Sequence, residues 1–194
     1  MPYDPERHHR RSIRLRGYDY TQPGYYFITI CTHARQPLFS DPNMRAIAEE
    51  QWQALGRAGA RGARPGRVSV DIAVVLPDHT HAIIVIASGP AGCEPAAPPA
   101  DRDAVSPENT LGINVAPGSL GAVVRSYKAA VARRANRQRR TPAGDVWQRG
   151  YYERIIRDPA GLAHVRRYIA TNPARHARSA AQLDALLARM DLRL

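Results

Sequence analysis

Apolar residues along this chain fall into two rhythms. Tyr25-Tyr26-Phe27-Ile28-Thr29-Ile30-Cys31-Thr32 is aromatic and β-branched throughout, a strand composition, and it follows the turn signal Gln22-Pro23-Gly24. Ser40-Asp41-Pro42 then offers a capping residue and a proline suited to a first helical turn. Ile47, Trp52 and Leu55 recur among polar residues after it and predict a helix to about Ala58. Gly62 to Gly66 breaks the chain. Val68 to Val75 alternates early and becomes fully apolar late, predicting a second strand. Pro77-Asp78 interrupts it, and His81 to Ala87 resumes as a third, most simply the second arm of an antiparallel hairpin. Leu120, Val123, Val124, Tyr127 and Val131 make a helical stripe within Leu120 to Gln138. Asp145 to Ile156 reads as a strand broken at Gly150. Asp158-Pro159 opens a helix with Leu162, Val165 and Ile169 as its stripe. That helix is expected to end near Asn172-Pro173, because proline disfavours helix in the residue before it, with a final short helix from Ala180 to Met190.

The first six elements follow a βαββαβ order. That order predicts an α+β fold: a ferredoxin-like (split βαβ) sandwich, one antiparallel sheet with helices packed on a face, plus C-terminal helices. The 194 residues suit a single domain over 21–175, preceded by an irregular arm over 1–20 and followed by a C-terminal helix over 176–194. Residues 88–119 are rich in proline and glycine and too long for an ordinary connection, so they are expected to be a flexible insertion.

Charge changes the picture. Lys and Arg number 28 against 17 Asp and Glu, a net charge of +11, and Lys128 is the only lysine. Arginine forks match phosphate oxygens bidentately, so an arginine-heavy basic domain points first to nucleic acid. A GC-rich genome that raises arginine, alanine, glycine and proline together is the competing explanation. In the arm, Arg14 and Arg16 stand beside Tyr18 and Tyr20, a mixture that could track a backbone and stack on bases; Arg125, Lys128 and Arg149 are further candidate DNA contacts. Two cysteines, Cys31 and Cys93, form no disulfide framework and no zinc-type set. With no signal-peptide core near the first residues and no membrane-length apolar run, the expectation is a soluble cytoplasmic, nucleoid-associated protein with no membrane partner.

Candidate chemistry begins at Leu76-Pro77-Asp78-His79-Thr80-His81. On a strand, residues two apart share a face, so His79 and His81 aim at one spot, the start of a metal site or merely a pair of packed histidines. The other five, His8, His9, His33, His164 and His176, show no ligand spacing with one another. Farther on, His164, Tyr168 and Asn172 are successively four apart and share a helix face.

The stretches LPDHTHAIIVI and WQRGYYERIIRDPAGLAHVRRYIATNPAR, with RRSIRLRGYDYTQPGYYFITICTHARQPLF before them, resemble the single-tyrosine HUH transposases, and most closely the REP-associated tyrosine transposases. The likeness spans most of residues 10–175 outside the insertion. It departs at Thr80, where the motif's middle position is normally hydrophobic. The resemblance implies His79, His81 and Asn172 as ligands of Mg²⁺ or Mn²⁺ and Tyr168 as the nucleophile, with Tyr151 and Tyr152 as rivals for that role. It also implies cleavage and rejoining of single-stranded, hairpin-containing DNA through a 5′-phosphotyrosine, by a monomer or a homodimer. Two alternatives stand beside it: a DNA-binding protein of the same fold with cleavage lost or regulatory, and a small metal-dependent hydrolase using the histidines alone.

Overall fold

The computed structural model describes residues 15, 17–58, 67–88, 116–141 and 144–191. Its elements are strand β1 (Gly24–Cys31), helix α1 (Pro42–Ala58), strands β2 (Val68–Leu76) and β3 (His79–Ile86), helix α2 (Leu120–Arg139), strand β4 (Tyr152–Ile156) and helix α3 (Pro159–Asp191). Most of the 88–119 insertion lies outside the described residues, as do Arg14 and Arg16.

The four strands form one antiparallel sheet in the order β2-β3-β1-β4. This is the α+β, split-βαβ arrangement that the element order predicts. Because β1 lies in the middle and side chains alternate, its residues feed two cores. Tyr26, Ile28 and Ile30 are completely buried in a large core with α1 and α2, against Trp52, Leu120, Val123, Tyr127 and Val131. Tyr25 points the other way, into a smaller core with Ile83, Ile156 and the α3 residues Val165 and Ile169. The helices therefore cover both faces: α1 and α2 lie on one, α3 on the other.

Helix starts follow local chemistry. Asp41 Oδ1 accepts from the backbone N–H of Asn43 (2.7 Å), capping α1. Asp158 Oδ1 does the same for Gly161 (2.7 Å) at the start of α3. One expectation is overturned. The break near Asn172-Pro173 does not occur, and α3 runs through Pro173 to Asp191 without a separate final helix. Proline removes one intrahelical bond and crowds the preceding turn. Here the turns before it are held on the sheet, and the alanine-rich sequence after it has high helix propensity.

Two smaller differences concern strands. β4 is short, Tyr152–Ile156, because Gly150 takes a positive φ of 81° and turns the chain; the preceding segment touches the sheet only at the Thr32–Trp147 bridge. β2 carries a bulge, where the register with β3 shifts between Val70 and Ile72. The intervening Asp71 accepts two hydrogen bonds from Arg166 of α3, from Nε at 2.8 Å and Nη2 at 2.7 Å. This bidentate pair sets where α3 lies across the sheet.

Ile169, 1% exposed, anchors α3. Ile169→Ala is expected to cost about 2–5 kcal/mol in unfolding free energy, the range for such truncations, read from urea denaturation followed by circular dichroism.

Candidate active site

β3 begins at His79 rather than His81, so both histidines belong to the strand and share a face. The register places His79 opposite Cys31, and His81 opposite Thr29 on β1 and Val74 on β2. This is the face that α3 covers. Thr80, between them, points into the opposite core and is fully buried. Its hydroxyl accepts from the indole N–H of Trp52 (2.9 Å) and donates to the carbonyl of Val74 (2.7 Å). Trp52 in turn stacks on Tyr127 with ring centres 3.7 Å apart. A threonine is thus accommodated at the motif's normally hydrophobic position because both its hydrogen-bonding functions are met.

Each imidazole is oriented through its Nδ1. His79 Nδ1 lies 2.6 Å from Asp78 Oδ1, and the other carboxylate oxygen of Asp78 is 3.2 Å from Arg35 Nε. His81 Nδ1 lies 2.8 Å from Thr29 Oγ1. A carboxylate only accepts, so His79 carries its proton on Nδ1 and, when neutral, presents a lone pair at Nε2. The two Nε2 atoms converge to 3.2 Å. Burial, followed by the charges of His79 and Arg35, pushes the His81 pKa down to about 4, so its imidazole is neutral at pH 7.

Two imidazoles held nose to nose by carboxylate and hydroxyl partners suit a shared divalent ion. Metal–nitrogen bonds of about 2.1 Å, set roughly at right angles, would put such nitrogens about 3 Å apart. The partners on Nδ1 are the outer-shell groups that orient metal-bound histidines. Among the described residues, no three His, Cys, Asp or Glu side chains come together as a complete ligand set. As they stand, the two histidines are joined by no third described side chain of these types; Asn172, buried on α3, carries an amide, a donor of another type.

α3 brings the second half. The Tyr168 hydroxyl lies 3.4 Å from His81 Nε2, and its ring packs edge-on against Phe27, with centres 6.0 Å apart. Phe27 also stacks on His81 at 5.3 Å. One turn further, Asn172 is buried. One more turn brings His176, half-buried, with its ring centre 6.4 Å from that of His79. Sequence reading treats His176 as scattered; extending the four-residue spacing from Asn172 by one step would have found it. His164, at the other end of the same ladder, is exposed.

The remaining candidates divide. Tyr152 lies on the site's face, one strand beyond Thr29, and is 57% exposed. Tyr151 instead packs against the larger core. Arg149 is exposed near the end of the sheet that carries His79, since Gln148 bonds to the carbonyl of Cys31. Tyr18 and Tyr20 are not brought to the site. They pack on Tyr26 at the larger core, with Tyr18 and Tyr26 hydroxyls 3.2 Å apart. Arg125 and Lys128 belong to α2, across the sheet from His79 and His81. Lys128 donates to the carbonyls of Gln148 (2.6 Å) and Gly150 (3.0 Å), holding the segment before β4.

No family model matches the chain. It is 32% identical over 180 residues to an uncharacterized protein of Haemophilus influenzae, covering 88% of this chain and 92% of the relative. Among solved structures it resembles a REP-associated tyrosine transposase bound to a REP hairpin, at 18% identity and a TM-score of 0.50, over 84% of this chain and 73% of that one. That likeness shows a shared fold. No described helix is long and apolar enough to cross a membrane.

Two outcomes test this geometry on the metal-free protein. The fold favours neutral His81, so its contribution to stability is complete above about pH 6.5 and declines as pH falls to about 4. The urea midpoint is expected to drop across that window, and His81→Gln is expected to flatten the drop. Thr80→Ala strands the buried Trp52 N–H and is expected to cost about 1–3 kcal/mol in the same assay.

Proposed function

The chain belongs to the same family as the Haemophilus influenzae protein, and we propose that it is a metal-dependent DNA strand transferase, a transposase-type enzyme that cuts and rejoins single-stranded, hairpin-containing DNA through Tyr168. The observation that carries this reading is the meeting of the His79/His81 pair on β3 with the Tyr168 hydroxyl on α3. The hairpin is taken from the REP hairpin bound by the transposase of similar fold, and the net charge of +11 favours a polyanionic substrate.

A Mg²⁺ or Mn²⁺ ion held by His79, His81 and Asn172 would supply Lewis acidity at the scissile phosphate, with imidazole favouring Mn²⁺. The residues of the chain do the rest. Asp78 and Thr29 fix both imidazoles, so no side-chain search precedes binding. Phe27 walls the site between His81 and Tyr168 and limits water there. The Tyr168 oxygen attacks phosphorus, forming a P–O bond and losing its phenolic proton to solvent. The bond from phosphorus to the 3′-oxygen breaks, its electron pair leaves with that oxygen, and a proton from solvent completes the 3′-hydroxyl. One phosphate diester replaces another, so the bond energy is kept for rejoining and no nucleotide cofactor is required. Arg149, exposed near the end of the sheet that carries His79, would contribute a contact to backbone phosphates in this reading.

The test uses end-labelled single-stranded hairpin DNA with Mn²⁺, resolved on a denaturing gel. A covalent adduct is expected, lost below detection in Tyr168→Phe and retained in Tyr152→Phe. An adduct that survives Tyr168→Phe removes that residue as nucleophile, and binding without any adduct leaves a DNA-binding protein. Binding is expected to weaken roughly tenfold or more between 50 and 200 mM salt, measured by fluorescence anisotropy.

A further inference from the structure

His176 has no assigned role. It follows Asn172 by four residues, as Asn172 follows Tyr168, so α3 presents phenol, amide and imidazole in sequence along one face. The ladder is oriented by two contacts: Tyr168 touches His81, and the His176 ring faces the His79 ring at 6.4 Å with a 51° tilt. His79 Nδ1 is taken by Asp78, so the nitrogen it has left is the Nε2 that converges with His81. A half-buried histidine whose ring faces that of His79, on the helix that carries Asn172, is poorly explained as surface decoration.

We propose that His176 is a third imidazole ligand of the metal, turning inward from its present position when the ion binds. This rests on the metal-dependent reading above. It also extends that reading to the choice of ion. A site of three imidazoles and one amide oxygen is nitrogen-rich, and such sites prefer Mn²⁺ or Co²⁺ to Mg²⁺, which takes oxygen ligands. The 6.4 Å separation is too long for both rings to bind one ion on adjacent positions without a change of side-chain rotamer. The inward movement is therefore part of the inference.

Titrating the full chain with Mn²⁺ and, separately, Mg²⁺ by calorimetry tests this without reference to activity. Wild type is expected to bind Mn²⁺ more tightly than Mg²⁺. His176→Ala is expected to lose about tenfold or more of the Mn²⁺ affinity, on the scale seen for groups supporting metal sites, with Mg²⁺ affinity changed far less. His176→Gln, which keeps length and polarity, should behave the same way and serves if the alanine variant melts early. Pulsed electron paramagnetic resonance on the Mn²⁺ complex counts coordinated imidazole nitrogens: three in wild type, two in either variant. Equal Mn²⁺ affinity in wild type and both variants, or two nitrogens in wild type, overturns the role of His176 while leaving the metal site standing. Failure of wild type to bind either ion overturns the metal reading and this inference with it.

Discussion

Val165 and Ile169 of α3 close against Tyr25, Ile83 and Ile156 on a sheet face that has no other helix on it among the described residues. Everything at the candidate site depends on this contact. The histidines are held by their own strand and its neighbour, but the tyrosine, the amide and the third imidazole arrive on the helix. If Ile169 did not reach the sheet, Tyr168 would not reach His81. The Arg166–Asp71 pair adds orientation more than energy, since an exposed ion pair is worth about 1 kcal/mol or less. Burial of the α3 stripe is therefore the main term holding the two halves together.

The period of the strand lets β3 serve two purposes at once. Thr80, Ala82, Ile84 and Ile86 feed the large core beneath α1 and α2, while His79, His81 and Ile83 face α3. The polar core around Thr80, Trp52 and Tyr127 fixes the rotation of the strand, and that rotation aims the imidazoles. A one-residue slip would exchange the two faces, burying the histidines under α1 and exposing Thr80 to α3. The bland side of the strand thus protects the chemistry on the other.

The sheet and its helices were legible because each element carries its own period: continuous aromatic and β-branched residues in β1, a clean stripe in α2, cap and proline at the starts of α1 and α3. The histidine pair was equally plain, since it needs only strand spacing. What lies between elements was not. Periodicity places Tyr168 beside Ile169 but says nothing of which sheet residue it meets, and that meeting is decided by tertiary packing. Tyr18 and Tyr20 read like a stacking platform beside arginines, yet they pack around Tyr26, because half-buried aromatic surface is satisfied by the nearest core. Pro173 read as a terminator; local proline cost is small against a docked helix and an alanine-rich continuation. His176 has no ligand spacing to the other histidines; only the mixed ladder of Tyr168 and Asn172 leads to it.

The continuity of α3 through Pro173 carries a mechanical consequence. A helix that ends at residue 172 could lift from the sheet only by losing its own packing. This one continues beyond its docked turns to Asp191, and Pro173 leaves the Ile169 carbonyl without its helical N–H partner, so the turn between them lacks one internal hydrogen bond. A different bend in that turn would change how far His176 stands from Tyr168, on the docked side of it.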